Sequence, residues 1–215
     1  MKIEIWSDIM CPFCYIGKRK FEAALDQFPE KDQLEIEWKS YQLSPNMATD
    51  PSKNMHEFLA AHKNISVEQA KAMNDQVSDY AKSVNLEYKM DKAIPANSFK
   101  AHRLLHLAKK HGVQNEMEEF IFSAYFTEGL NIDDNQVLLK LAEKAKIPTE
   151  ETLKVLEGNE FAENVRLDIY EAQQIGVNGV PFFVFNNKYA FSGAQDSLYM
   201  LEVIEKSFSE WKNDN

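Results

Sequence analysis

The sequence KIEIWSDIMCPFC, residues 2–14, decides the fold of this 215-residue chain. Its first five residues alternate between polar and apolar side chains, a pattern typical of a short β-strand. Pro12 favours the first position of a helix, because that position needs no backbone N–H donor. The only two cysteines of the chain, Cys11 and Cys14, are therefore predicted at a strand-to-helix junction.

The spacing of the two cysteines indicates redox chemistry. Two sulfurs on the first turn of a helix can close a small disulfide ring. The first sulfur lies among unpaired N–H groups at the positive end of the helix dipole, which favours a thiolate. Thiol–disulfide exchange needs one sulfur to attack a disulfide and a second to resolve the mixed disulfide. We predict that Cys11, the more exposed, attacks and that Cys14, partly buried one turn further, resolves.

Half of a structural zinc site is the alternative explanation of two cysteines at this spacing. Zinc requires four ligands, and His102 and His106 could complete a set because they are four residues apart on a predicted helix. However, the chain has no second cysteine pair, and the gap to these histidines is very long for a compact zinc module. We expect no bound metal and no bound organic cofactor, since two sulfurs can carry the electrons.

The rest of the chain predicts an α/β fold interrupted by a long helical insertion. A helix over 12–28 and a strand over 34–38 complete a strand–helix–strand unit, for which a parallel sheet is expected. From Ser44-Pro45 onward only helical patterns occur for more than a hundred residues. Strand patterns return at 182–185 and 189–191, joined by an Asn-Asn turn, before a last amphipathic helix.

A second candidate site feature is Val180-Pro181, directly before the apolar run Phe182 to Phe185. A trans proline here would only begin an edge strand, because proline gives up a hydrogen-bond donor. A cis bond would be a specific feature. It could press the Pro181 ring against the Cys11 sulfur and turn the Val180 backbone outward, where an extended peptide could pair with it.

Composition and charge exclude several classes of partner. The formal net charge of −10 disfavours nucleic acid and anionic membrane surfaces. No stretch approaches the ~18 apolar residues of a membrane span, and the start of the chain shows no signal-peptide pattern. We expect a cytoplasmic protein, and a reducing compartment favours a reactive over a structural cysteine pair.

Four ordered segments carry a family resemblance: residues 6–17, 97–104, 176–183 and 192–195. On these segments the chain resembles the thioredoxin-fold superfamily, and within it the DsbA-like group with a helical insertion, in particular the FrnE-like branch. The resemblance implies a thioredoxin-like domain of residues 1–45 plus 165–215 and an all-α insertion domain of residues 46–164.

The resemblance also implies roles for individual residues. Cys11 is then the nucleophile, Cys14 the resolving thiol, and Pro181 a cis proline in a substrate-facing loop that includes Val180. The chain departs from the familiar DsbA dipeptide Pro-His, because Pro12-Phe13 stands between its cysteines.

Pro12 is expected to hold the turn, and Phe13 to offer an aromatic contact to substrate, unless it packs against Tyr15 or the insertion. Because Phe13 carries no cationic imidazole, we predict a milder oxidant than DsbA.

The favoured function is therefore a thiol–disulfide oxidoreductase or isomerase, with protein or peptide thiols as substrates and glutathione or a redox protein as electron partner. Two alternatives remain open. One is a glutathione-dependent isomerase or transferase of a small aromatic compound, although the related families commonly have serine where Cys11 stands. The other is a non-catalytic thioredoxin-like adaptor for client proteins.

Overall fold

A computed structural model describes residues 1–214, which form four β-strands and nine α-helices. The strands are β1 (Lys2–Ser7), β2 (Glu35–Ser40), β3 (Phe182–Phe185) and β4 (Tyr189–Ser192). The helices are α1 (Pro12–Leu25), α2 (Met55–Lys63), α3 (Val67–Lys82), α4 (Phe99–Lys110), α5 (Gln114–Phe122), α6 (Asn135–Lys144), α7 (Thr149–Glu157), α8 (Ala162–Gln174) and α9 (Ser197–Asp214). A 3₁₀ turn spans Lys31–Gln33 and a π-helical turn spans Ser123–Glu128.

The described chain divides into two compact units. Met1–Tyr41 and the described residues from Asp168 onward form the first, which contains all four strands and is called the sheet unit below. Gln42–Leu167 form the second, the helical unit. This organisation confirms the predicted α/β fold with a long helical insertion.

The four strands of the sheet unit lie in the order β2-β1-β3-β4. The pairing of β1 with β2 is parallel, as the strand–helix–strand pattern predicts. The sheet as a whole is mixed, because β3 returns antiparallel beside β1 and forms a hairpin with β4. The parallel pairing of β1 with β2 and the hairpin of β3 with β4 were predicted from the sequence, whereas the antiparallel pairing of β3 with β1 was not.

One face of the sheet is the apolar core of its unit. Ile3 and Ile5 from β1 and Phe183 and Phe185 from β3 are completely buried on this face, together with Phe21 from α1. Alternating side chains of a strand point to opposite faces, so the Ile3/Ile5 spacing places both on this side. Burying each such side chain stabilises the fold by roughly 1.5–3 kcal/mol. This core fixes α1, and with it the cysteine pair, against the sheet.

The opposite face carries charge as well as apolar side chains. Trp6 lies here, and its indole N–H donates to the Asp168 backbone carbonyl at 2.9 Å. The Asp168 carboxylate in turn accepts the backbone N–H of Ser40 at 2.8 Å. These two bonds fasten the second half of α8 to the carboxyl ends of β1 and β2.

A cavity of about 510 Å³ opens on this opposite face, and we call it the charged cavity. Lys39 is the charge at its centre: it forms an ion pair with Glu171, approaches Glu4 at 3.3 Å, and lies over the Trp6 ring. The other lining residues are Lys2, Ile175, Phe182, Val184, Asn187, Lys188, Tyr189 and Ala190.

The helical unit contains one helix that the sequence patterns above did not identify. Asn54 begins α2 with a reciprocal capping box, in which its side chain accepts from the Glu57 backbone and Glu57 accepts from the Asn54 backbone. Helix α5 ends at Phe122, and the π-helical turn Ser123–Glu128 follows it directly. None of the helices in the described part of the chain is long and apolar enough to span a membrane.

Candidate active site

Cys11 is the N-cap residue of α1, immediately before its first helical residue. Its backbone is extended, with φ −86° and ψ 112°, and Pro12 follows at the first helical position. The turn is closed on both sides, because the Cys11 N–H donates to the Asp8 carbonyl and the Cys14 N–H donates to the Cys11 carbonyl, each at 3.0 Å. The strand β1 and the helix α1 thus place both sulfurs at one end of the helix.

Both cysteines are free thiols and both are buried. Cys11 is 4% exposed and Cys14 is completely inaccessible, which is deeper than the partial burial predicted for it. Burial raises the pKa of the Cys14 thiol well above its usual value, and a hydrogen bond and charge interaction with Cys11 act in the same direction. Cys14 is therefore held as a neutral thiol next to Cys11.

The loop before β3 lies far from Cys11 in the sequence but contacts it in the structure. The Cys11 Sγ–H donates to the Val180 carbonyl oxygen, with 3.4 Å between the two heavy atoms. The Val180–Pro181 peptide bond is cis. Pro181 is buried and Val180 is half-buried, so the sheet unit brings Cys11, Cys14, Val180 and Pro181 into one site, which we call the thiol site.

Gly17, one turn beyond the cysteine pair on α1, contacts this loop. A Cβ atom at Gly17 would lie 2.8 Å from the Pro181 Cγ, closer than van der Waals contact allows. No role for Gly17 was predicted from the sequence. The available signal was a glycine inside a predicted helix, which costs about 1 kcal/mol relative to alanine and therefore suggests close packing.

The two residues between the cysteines differ in exposure. Pro12 is half-buried, whereas Phe13 is 41% exposed on the first turn of α1. An aromatic side chain at this position offers apolar surface beside the cysteine pair. The nearby Asp8 is buried, and its carboxylate accepts the Met10 backbone N–H at 3.3 Å, so it takes part in the turn that precedes Cys11.

The histidines considered as zinc ligands belong to the helical unit. His102 and His106 are both buried on α4. Within residues 1–214, no group of three or more histidine, cysteine, aspartate and glutamate side chains is placed to hold a metal ion.

Comparison with known proteins identifies the family. The family model described as DSBA-like thioredoxin domain matches residues 2–205. The chain therefore belongs to the DSBA-like thioredoxin domain family, and the thioredoxin fold with a helical insertion is confirmed.

Individual proteins and solved structures are similar to this chain. The chain is 36% identical to a probable DsbA oxidoreductase of Streptomyces coelicolor, with a TM-score of 0.90 over 98% of this chain and 91% of that one. It is 25% identical to the uncharacterised protein YwbO of Bacillus subtilis over 97% of this chain and 96% of YwbO. A 2-hydroxychromene-2-carboxylate isomerase shares the fold, with a TM-score of 0.69 and 17% identity over 100% of this chain and 98% of that one.

Proposed function

We propose that this member of the DSBA-like thioredoxin domain family is a thiol–disulfide oxidoreductase that acts through Cys11 and Cys14. One observation carries the proposal: Cys11 begins a helix with its sulfur 3.4 Å from the Val180 carbonyl, while a neutral Cys14 lies buried beside it. A structural disulfide needs no substrate-facing loop, whereas an exchange reaction needs one attacking sulfur, one resolving sulfur and a surface for the substrate chain.

The proposed reaction moves two electrons from the dithiol to a substrate disulfide. The Cys11 thiolate attacks one substrate sulfur, the substrate S–S bond breaks, and the departing thiolate takes up a proton. Cys14 loses its proton and attacks the Cys11 sulfur of the mixed disulfide. The second substrate thiol leaves, and a Cys11–Cys14 disulfide remains. Running every step in reverse oxidises a substrate dithiol.

The high pKa of Cys14 suits the resolving role. A neutral Cys14 does not compete with Cys11 for the incoming disulfide, because only the thiolate is a strong nucleophile. Once Cys11 is bonded to substrate sulfur, its hydrogen bond and charge no longer raise the pKa of Cys14. The resolving thiol thus becomes easier to ionise when it is needed.

The substrates proposed are extended segments of proteins or peptides. Val180 is half-buried and lies directly before β3, where a chain can pair with its backbone as an added strand. Pro12 and the exposed Phe13 would contact the side chains next to the substrate disulfide.

The finer assignment to the FrnE-like branch, a cytoplasmic location and glutathione as electron partner are part of the same proposal. A cytosolic thiol pool would reduce the Cys11–Cys14 disulfide after each turnover by two successive exchange steps, leaving oxidised glutathione. Because Phe13 replaces a cationic histidine, the pair should be less oxidising than DsbA. Equilibration of the purified protein with glutathione buffers measures this, and a potential equal to that of DsbA would contradict it.

Reduction of insulin disulfides by dithiothreitol tests the function. The wild-type chain should accelerate the reaction, and Cys11→Ser should reduce the acceleration to background. Cys14→Ser should retain attack but stall at the mixed disulfide. A control Ser209→Ala variant, altered at an exposed position of α9, should remain active. Unchanged turnover by Cys11→Ser would remove the proposed mechanism.

A further inference from the structure

The glycine inside α1 is unexplained by backbone geometry. Gly17 is the sixth of the 14 residues of the helix Pro12–Leu25, and its backbone is outside the left-handed region that favours glycine. Glycine is a poorer helix former than every residue except proline. The reason for a glycine here must therefore be the space around it.

That space is occupied by the loop of the thiol site. A Cβ on Gly17 would meet the Pro181 ring at 2.8 Å from Cγ and 3.5 Å from Cβ, and the Ala194 Cβ at 3.7 Å. Two hydrogen bonds join the same segments: the Gly193 N–H donates to the Pro181 carbonyl at 2.8 Å, and the Lys20 ammonium donates to the Ala194 carbonyl at 3.4 Å. Helix α1, the residue before β3 and the residues after β4 are thus packed against one another at Gly17.

We propose that Gly17 is a positioning residue, which sets the height of the Val180–Pro181 segment above α1 and so the place where an extended peptide substrate meets the Cys11 sulfur. The inference rests on the proposed exchange function and adds a residue to it. A proline ring is bonded to its own backbone and cannot rotate away. An atom added at Gly17 must therefore change the spacing between α1 and the Pro181 backbone, and the Val180 carbonyl that accepts from Cys11 is attached to that backbone.

Displacing the loop should affect substrates according to their size. An extended peptide disulfide must pair with the Val180 backbone and place its sulfur on Cys11 at the same time. A small disulfide such as 5,5′-dithiobis(2-nitrobenzoate) needs only access to the sulfur. Gly17→Ala should therefore lower kcat/KM for the peptide on the order of tenfold, because small misplacements of bound groups have large effects on rate. The reaction with the small disulfide should change less than about twofold.

Gly179→Ala is the matched control. It is the same chemical change one residue before Val180, but a Cβ at Gly179 has no heavy atom within 4 Å and the backbone there is outside the left-handed region. This variant should react with both substrates as the wild type does. Gly17→Ser, which adds one atom beyond the Cβ, should lower the peptide reaction further than Gly17→Ala.

Each outcome decides the inference. A loss confined to the peptide in both Gly17 variants, with Gly179→Ala unchanged, supports a positioning role. An equal loss for both substrates, together with a lower unfolding temperature, shows that Gly17 only maintains the fold and overturns it. Normal peptide turnover by Gly17→Ala also overturns it, while leaving the exchange function intact. A wild-type chain that reacts with neither substrate overturns the exchange function itself, and this inference with it.

Discussion

The thiol site and the charged cavity lie in the same unit and share β1, but they are built by opposite means. The thiol site is built by close packing: the Cys11 sulfur lies against the Val180 carbonyl, and Gly17 lies against the Pro181 ring. The charged cavity is centred on Lys39 among carboxylates. In the thiol site the positions of the groups determine the chemistry, whereas in the charged cavity ion pairs hold β1, β2 and α8 together.

Strand β1 explains how one segment serves both regions. Its residues alternate between the two faces of the sheet, so Ile5 packs in the apolar core while Glu4 and Trp6 line the charged cavity. Its last residues lead into the turn that presents Cys11. If this division of roles is right, variants of the two regions should differ in which property they change.

Replacing Cys11 should produce the largest effect on function. In Cys11→Ser the hydroxyl is too weak a nucleophile to attack a disulfide, so catalysed insulin reduction should fall to the uncatalysed rate. The free energy of unfolding should change by less than about 1 kcal/mol, because the two side chains have nearly the same volume. Turnover and urea denaturation of the same preparation check both statements. Residual turnover well above background would place the nucleophile elsewhere.

Replacing Lys39 should lower the stability and leave the turnover of the folded protein unchanged, the opposite of replacing Cys11. Lys39→Met removes the cation that pairs with Glu171 and Glu4 and that lies 3.7 Å from Asp168. Breaking such a pair leaves carboxylates uncompensated. We expect a loss of roughly 2–3 kcal/mol in the free energy of unfolding, less than for a fully buried pair because Glu171 is partly exposed. The folded fraction should keep its turnover, and a loss of turnover without loss of stability would reverse the roles of the two regions.

The two regions should lose their contributions to stability at different alkaline pH values. Cys14 has a raised pKa, chiefly through burial. Its contribution to the free energy of unfolding is therefore complete below the pKa of the unfolded thiol, ~8.5, and is lost as the pH rises from there towards the higher pKa of the folded state. Burial lowers the pKa of Lys39, but its hydrogen bond to Glu171 and the nearby carboxylates raise it overall. Its contribution is therefore lost only above ~10.4.

The measurement is the free energy of unfolding between pH 7 and 11. Between pH ~8.5 and pH ~10.4 the free energy of unfolding of the reduced wild type should fall by up to ~1.4 kcal/mol per pH unit. Cys14→Ala should flatten this interval, while Lys39→Met should alter the curve above it. An identical decline in wild type and Cys14→Ala would show that Cys14 is not held neutral by the fold.

Phe13 should give the smallest effect. Phe13→Ala removes an exposed aromatic surface beside the cysteines, so the KM for a peptide disulfide should rise about fivefold, equivalent to roughly 1 kcal/mol of lost contact. The stability should change by less than about 0.5 kcal/mol. Tyr170→Ala, which also removes an exposed aromatic side chain of the sheet unit, is the control. Equal KM values for the two variants would exclude Phe13 from the substrate surface.

The sequence predicted those features that depend on local pattern. The alternation in β1, the proline at the start of α1 and the aromatic run of β3 were sufficient to place these elements within a few residues. The helix α2 was missed because it spans only nine residues and its clearest signal is the capping box at Asn54. The antiparallel return of β3 beside β1 depends on pairing across more than 170 residues, which no local pattern specifies.

The thiol site could be predicted in part, because some of its residues are marked by local sequence patterns. Cys11 and Cys14 are conspicuous in any reading, and Val180-Pro181 is marked by its place before β3. The complete burial of Cys14 and the contact between Gly17 and Pro181 arise only when distant segments pack together. A glycine inside a predicted helix suggests close packing, but the segment that packs against it is visible only in the folded structure.

The most direct test is to trap the reaction intermediate on a chain without the resolving thiol. Cys14→Ala, incubated with an extended peptide disulfide and analysed by mass spectrometry, should accumulate a mixed disulfide on Cys11. The matched Cys11→Ala chain should accumulate little, because its remaining thiol is buried and burial is the chief cause of its raised pKa. Equal trapping by both chains, or none by Cys14→Ala, would contradict the assignment of Cys11 as the attacking sulfur.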